Sequence, residues 1–138
     1  MRGPLGAAAR ETGRRLQLPR GAHCASCTTT DTLALPRGRR PMLCCDCDAA
    51  LAGSTPIELH HPLGEANDPA TISLRLSTHR FFSDRQHDWP DATLTSPRAC
   101  PKLRRAAALR ALADINAYFA QVVVLPKART LEAQLDAA

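Results

Sequence analysis

Aromatic side chains are scarce in this 138-residue chain, where three Phe, one Tyr and one Trp make up 4% of the residues. A core with so few rings must rest on Leu, Ala, Val and Ile, and a small domain of that kind gains from a metal staple. The length leaves room for one modest domain with tails. The first residues, MRGPLGAAARETGRRLQLPRG, lack the apolar run that a secretory signal requires. Six cysteines are therefore expected as reduced thiols in a cytoplasmic setting rather than as disulfides. The same Arg- and Ala-rich start, with Glu11 as its one acid, also shares part of the composition of an organelle transit peptide. No internal repeat, Ser/His/Asp triad, phosphate-cradling Gly loop or dinucleotide fingerprint is visible; PRGRRP is too short for such a loop.

What the chain does have is positive charge: 18 Lys and Arg, mostly Arg, give a net charge of +5. An anionic partner, with nucleic acid first, follows from that balance; DNA is the expected form, though charge does not separate it from RNA. Residues 1–22 hold several Gly, Pro and Arg without sustained periodicity, which predicts a flexible basic arm. Arg2, Arg10, Arg14 and Arg15, with Arg37, Arg39 and Arg40 further on, are candidates for phosphate contacts.

Residues 23–95 read as the folded domain and 96–138 as a C-terminal helical region. Within TTTDTLALPRGRRP, Leu33 and Leu35 alternate as in a short strand. Residues 57–80 predict a hairpin, since Ile57 and Leu59 alternate, PLGEANDP is rich in turn formers, and Ile72, Leu74 and Leu76 alternate again. THRFFSDRQHDW then predicts about two helical turns ending before Pro90. After the linker PDATLTSPRACP, residues 102–125 predict a long helix stopped at Pro126.

On that helix Arg110, Asp114 and Gln121 form a narrow polar stripe, leaving most of the circumference apolar. With Asn116, these residues argue against a membrane span, so no membrane partner is expected. Leu109, Leu112, Ile115, Phe119 and Val122 lie on one side, and the helix from Leu103 to Leu125 is the expected face for a homodimer or another protein partner.

Cys24-Ala-Ser-Cys27 and Cys44-Cys-Asp-Cys47 are two CxxC turns separated by 16 residues. Each such turn lets two thiolates converge on one ion, and two turns close a tetrahedron with no open position. The spacing predicts a structural Zn²⁺ held by Cys24, Cys27, Cys44 and Cys47, coupling metal binding to folding. Cys45 offers a second register for the later pair, and Cys100 stands alone as a partly buried thiol.

The segment ELHHPLGEANDPATISLRLSTHR resembles the core of HNH-type, ββα-metal endonucleases. In that family a paired Asp/His–His opens a hairpin, an Asn sits in its loop, and a further His begins the following helix. The corresponding residues are His60, His61, Asn67 and His79. The resemblance implies a catalytic divalent ion, Mg²⁺, Mn²⁺ or Zn²⁺, held by His60 and His79. It also implies His61 as general base, with Asn67 bracing the loop and orienting His61. Many members place two cysteines on the second strand and first helical turn, where this chain has LRLSTHR, so its knuckles are the upstream pairs. Ser83 replaces a third His, leaving Asp84, His87 or water to complete the site, and Glu65 adds negative charge near the phosphate path.

The resulting expectation is an α+β fold: a small zinc-stabilised ββα-metal core with a flexible basic arm and a long C-terminal helix. Its expected activity is metal-dependent hydrolysis of phosphodiester bonds. The alternative is a non-catalytic, zinc-stabilised nucleic-acid-binding or protein-interaction module with a degenerate HNH motif, or an accessory protein that docks a partner through the long helix.

Overall fold

The computed structural model describes residues 4–95 and 100–136. It is a mixed α+β arrangement of a two-stranded sheet, packed on one face by a helix, and several further helices. Helix α1 runs Pro4–Leu16, α2 Cys45–Leu51, then strands β1 Ile57–His60 and β2 Ile72–Arg75 lead into α3 Leu76–Gln86. A short α4 spans Asp91–Thr95, and α5 starts at Pro101 and continues to Tyr118. A π-helical stretch, Phe119–Val124, then joins α5 to α6 Leu125–Asp136.

Within the expected basic arm, residues 4–16 form a docked helix rather than a free segment. Pro4 sits where a missing N–H costs a helix nothing, and Gly6, Arg10 and Arg14 recur on the side that is covered. Arg10 forms ion pairs with Asp84 (2.9 Å) and Asp88 (2.8 Å), and Arg14 bonds Asp84 at 3.0 Å. Glu11 accepts from Thr32 and Arg14. Charge rather than apolar burial docks this helix. Asp84 and Asp88 keep only 13% and 9% of their side-chain surface exposed. Arg10→Ala would take the bidentate partner from Asp88 and leave Asp84 with Arg14 alone, so we expect a loss of about 2 kcal/mol, the order of a charged hydrogen-bonded link. Urea titration checks the value, and faster amide exchange in α1 would accompany it.

Leu33 and Leu35 do not form a strand. Their segment folds as tight turns, with the amides of Ala34 and Leu35 both donating to Asp31 O at 3.1 Å. Ala34 and Leu35 are buried there with Cys24 and Cys44, and Leu18, Met42 and Leu43 pack around them.

The hairpin is antiparallel, with His60 opposite Ile72 and Ile57 opposite Arg75. Because side chains alternate along a strand, Glu58 and His60 share the face covered by α3, while Ile57 and Leu59 point outward and are exposed. The apolar alternation that marks β1 in the sequence therefore belongs to its outer face. Leu76 has left the strand and starts α3.

The few aromatics are concentrated at the seam between α3 and α5. Phe81, Phe82 and Tyr118 pack ring against ring at 5.3–5.5 Å, and Phe119 extends the group. Trp89 is buried against Ala107 and Ala111, and its indole N–H donates to Asp114 at 2.9 Å. The polar stripe on α5 is thus partly an inward feature. The Leu109, Leu112, Ile115, Phe119 and Val122 side stays exposed.

Two expectations about the chain's second half are overturned. Residues 91–95 of the linker form α4, with the amides of Thr93 and Leu94 donating to Pro90 O; residues 96–99 lie outside the described structure. Pro126 does not end the long helix. Proline removes a donor and crowds the carbonyl four residues before it, and the wider π turn at Phe119–Val124 lies where that conflict falls, so the helix passes through. The continuous helix Pro101–Leu135 is long and apolar enough to cross a membrane by length and composition alone, and 6% of its most apolar window is buried.

Candidate functional site

Two clusters of titratable side chains stand out among the described residues. In the first, the Sγ atoms of Cys24, Cys27, Cys44 and Cys47 all lie within 4.8 Å of one another, a set that can hold one metal ion. Cys27 Sγ and Cys44 Sγ are 3.6 Å apart, near the roughly 3.8 Å edge of a tetrahedron of thiolates 2.3 Å from its centre. All four are free thiols, and Cys24 and Cys44 are buried.

Local backbone builds this geometry. After Cys27 the chain turns at Thr28, whose φ of 61° is left-handed, and the Thr28 amide donates back to Cys24 O. Cys44 caps the start of α2, which places Cys47 one turn away. Burial pushes the Cys24 thiol up, but backbone N–H groups of Cys27, Cys44 and Ser26 aimed at it outweigh that and bring it down to about 6. Burial raises the Cys44 thiol. Cys45 stays outside the set and packs against the core, so the register of the second turn is Cys44 and Cys47.

The second cluster lies under the hairpin. His60 ends β1 and is 4% exposed; the His79 ring meets it edge-on with centroids 5.2 Å apart, and Phe82 covers the other side. Burial, then the nearby His79 and His61, lower the His60 pKa to about 4, so its ring is neutral at pH 7. His79 Nδ1 donates to Glu58 Oε2 at 2.9 Å. That tautomer leaves Nε2 with its lone pair, the arrangement seen where a carboxylate orients a metal-binding imidazole. Reading the sequence for histidines alone misses Glu58; its signal is the two-residue spacing to His60, which puts both on one strand face.

His61 follows on the loop. Its carbonyl accepts from Gln86 Nε2 (2.9 Å) and the Gly64 amide (3.0 Å), while its buried Nδ1 has no hydrogen-bond partner among the described residues. Asn67 is 1% exposed and donates through Nδ2 to the carbonyls of Leu63 and Thr93. Through these two bonds it ties the hairpin loop to α4. Gly64, at φ 81°, allows the turn that brings Asn67 inward.

Asp84 is not in place to complete a histidine site, because Arg10 and Arg14 hold its carboxylate. Among the described residues the four cysteines are the only set of three or more clustered metal-binding side chains, so His87 does not complete one either. Of the arginines expected to meet phosphate, Arg10, Arg14 and Arg15 are paired with acids on the protein and Arg39 with Asp48, while Arg2 lies outside the described residues. Comparison with known protein families, known proteins and solved structures gives no match to this chain.

Proposed function

We propose that this chain is a zinc-stabilised, HNH-like endonuclease that hydrolyses phosphodiester bonds of nucleic acid with a divalent metal. The observation that carries the reading is the pairing of a buried, neutral His60 with His79 across a ββα unit, with His61 next in sequence and Asn67 locked into the intervening loop. The four-cysteine cluster would hold structural Zn²⁺.

His60 and His79 would hold the catalytic ion, with water filling its other positions. A divalent ion there would act as a Lewis acid that stabilises charge growing on the phosphate oxygens. Glu58 fixes the His79 ring, and Phe82 keeps water from one face of His60. His61 would accept a proton from the attacking water. Gln86 holds the carbonyl of His61 itself, and Asn67 that of Leu63 two residues on. Arg37 and Arg40, which pair with no acid among the described residues, would meet phosphates. Cleavage of plasmid DNA in Mg²⁺ or Mn²⁺, compared between wild type and His61→Ala, tests the reading.

The exposed strip of Leu109, Leu112, Ile115, Phe119 and Val122 is read as a face for a second copy, symmetric pairing being the commonest way to bury such a surface. Light scattering at micromolar concentration is expected to give a dimer mass, and Ile115→Arg with Phe119→Arg a monomer. A wild-type monomer in buffer would reject the pairing, and its flotation with liposomes would assign the strip to a membrane.

A further inference from the structure

The start of α3 is fastened to the cysteine cluster by one side chain. Asp46 lies between Cys44 and Cys47 in the first turn of α2. Its Oδ1 accepts the Ser77 backbone N–H at 3.0 Å and its Oδ2 accepts the Ser77 hydroxyl at 2.6 Å. Helix α3 has no cap of its own there, since the Arg75 side chain makes no capping bond. A carboxylate from another helix thus acts as an N-cap, satisfying an orphan amide and placing negative charge at the positive end of the helix.

The other fastenings of this turn are weaker in number or kind: the Leu76 amide donates to Pro56 O at 3.1 Å, and Thr78 Oγ1 lies 3.3 Å from the Tyr118 hydroxyl. His79 is two residues beyond Ser77. With a rise of about 1.5 Å and a turn of about 100° per residue, a slip or fraying at Ser77 rotates His79 away from His60. The hydrogen bond from His79 to Glu58, which is half exposed, cannot hold the ring if the helix under it moves.

We propose that Asp46 is a positioning residue that transmits the geometry of the cysteine cluster to His79 and so sets the His60–His79 pair. This rests on the nuclease reading above. The structural metal thereby gains a second role, because it staples a thin core and also fixes the turn from which Asp46 reaches α3.

The test uses the zinc-loaded full chain and follows three quantities: zinc per chain, Mn²⁺ affinity by electron paramagnetic resonance, and the melting temperature. Asp46→Ala is expected to keep one zinc per chain and to weaken Mn²⁺ binding by about tenfold or more, the usual cost of losing an orienting partner. Asp46→Asn, which retains one acceptor oxygen, should recover part of the affinity. Asp46→Ala with Ser77→Ala should be no worse than Asp46→Ala alone, because both remove the same link. A purely structural role would lower the melting temperature of Asp46→Ala and leave Mn²⁺ affinity unchanged, which overturns the proposal. Parallel loss of zinc and Mn²⁺ would also overturn it, placing Asp46 in the service of the cysteines. If Asp46→Ala does not fold, Ser77→Ala decides between the same outcomes. Wild type that takes up no Mn²⁺ beyond its zinc sinks the nuclease reading and the proposal together, a result read before any variant is made.

Discussion

Cys27→Ser is expected to release the structural metal and most of the tertiary structure with it. Cys27 is one of four sulfurs within mutual reach, and three thiolates leave a tetrahedral ion with an open position. In small zinc modules binding contributes roughly 10 kcal/mol or more to folding, which exceeds what this aromatic-poor core can spare. The buried residues around the cluster are Ala34 and Leu35 with the cysteines themselves, so little apolar surface remains to hold the turns once the ion is gone. Circular dichroism and zinc analysis on the purified variant check this, as does EDTA or a stronger chelator on wild type. Cys45→Ser, whose thiol stays outside the set, should keep full zinc occupancy. A Cys27→Ser chain that folds fully without metal would show that the cysteine cluster holds no structural ion.

Histidine substitutions are expected to separate by role. His61→Ala should leave Mn²⁺ affinity and nucleic-acid affinity near wild type while cutting the cleavage rate by about 10²-fold or more, the size of effect seen when a positioned general base is lost. His79→Ala should instead weaken the second metal, so that raising Mn²⁺ recovers some rate. The two signatures are distinguishable in one metal titration. Equal metal dependence for both variants would mean that His61 and His79 do not divide the work in this way.

Much of the metal chemistry is legible in spacing. CxxC pairs are local, and the turn each one makes depends on a handful of neighbouring residues, so Cys24, Cys27, Cys44 and Cys47 read as one cluster. Residues 57–80 read as two strands and a turn for the same reason. What the sequence hides is long-range and polar. Arg10 finds Asp84 and Asp88 more than seventy positions away, and nothing local to residues 4–16 names those partners. Ile57 and Leu59 suggest one buried face of β1, and the face that is buried carries Glu58 and His60 instead. The apolar-inside pattern is broken here because the inner face of the strand carries two titratable side chains. Likewise Ala107 and Ala111, small and inconspicuous in sequence, seat α5 against Trp89, while the larger Leu109 and Leu112 stay outside. Pro126 reads locally as a stop, and only the π turn preceding it lets the helix continue.

Whether the histidine cluster hydrolyses a phosphodiester is read most directly from supercoiled plasmid. Its conversion to nicked and linear forms by zinc-loaded wild type is followed with Mg²⁺, Mn²⁺ or neither, beside His61→Ala and a gel-shift on the same DNA. Product is expected to require the added divalent metal and to fall by about 10²-fold in His61→Ala. Intact plasmid, and intact single-stranded DNA and RNA, under every metal while the gel-shift reports binding would contradict hydrolysis and leave a zinc-stabilised binding module.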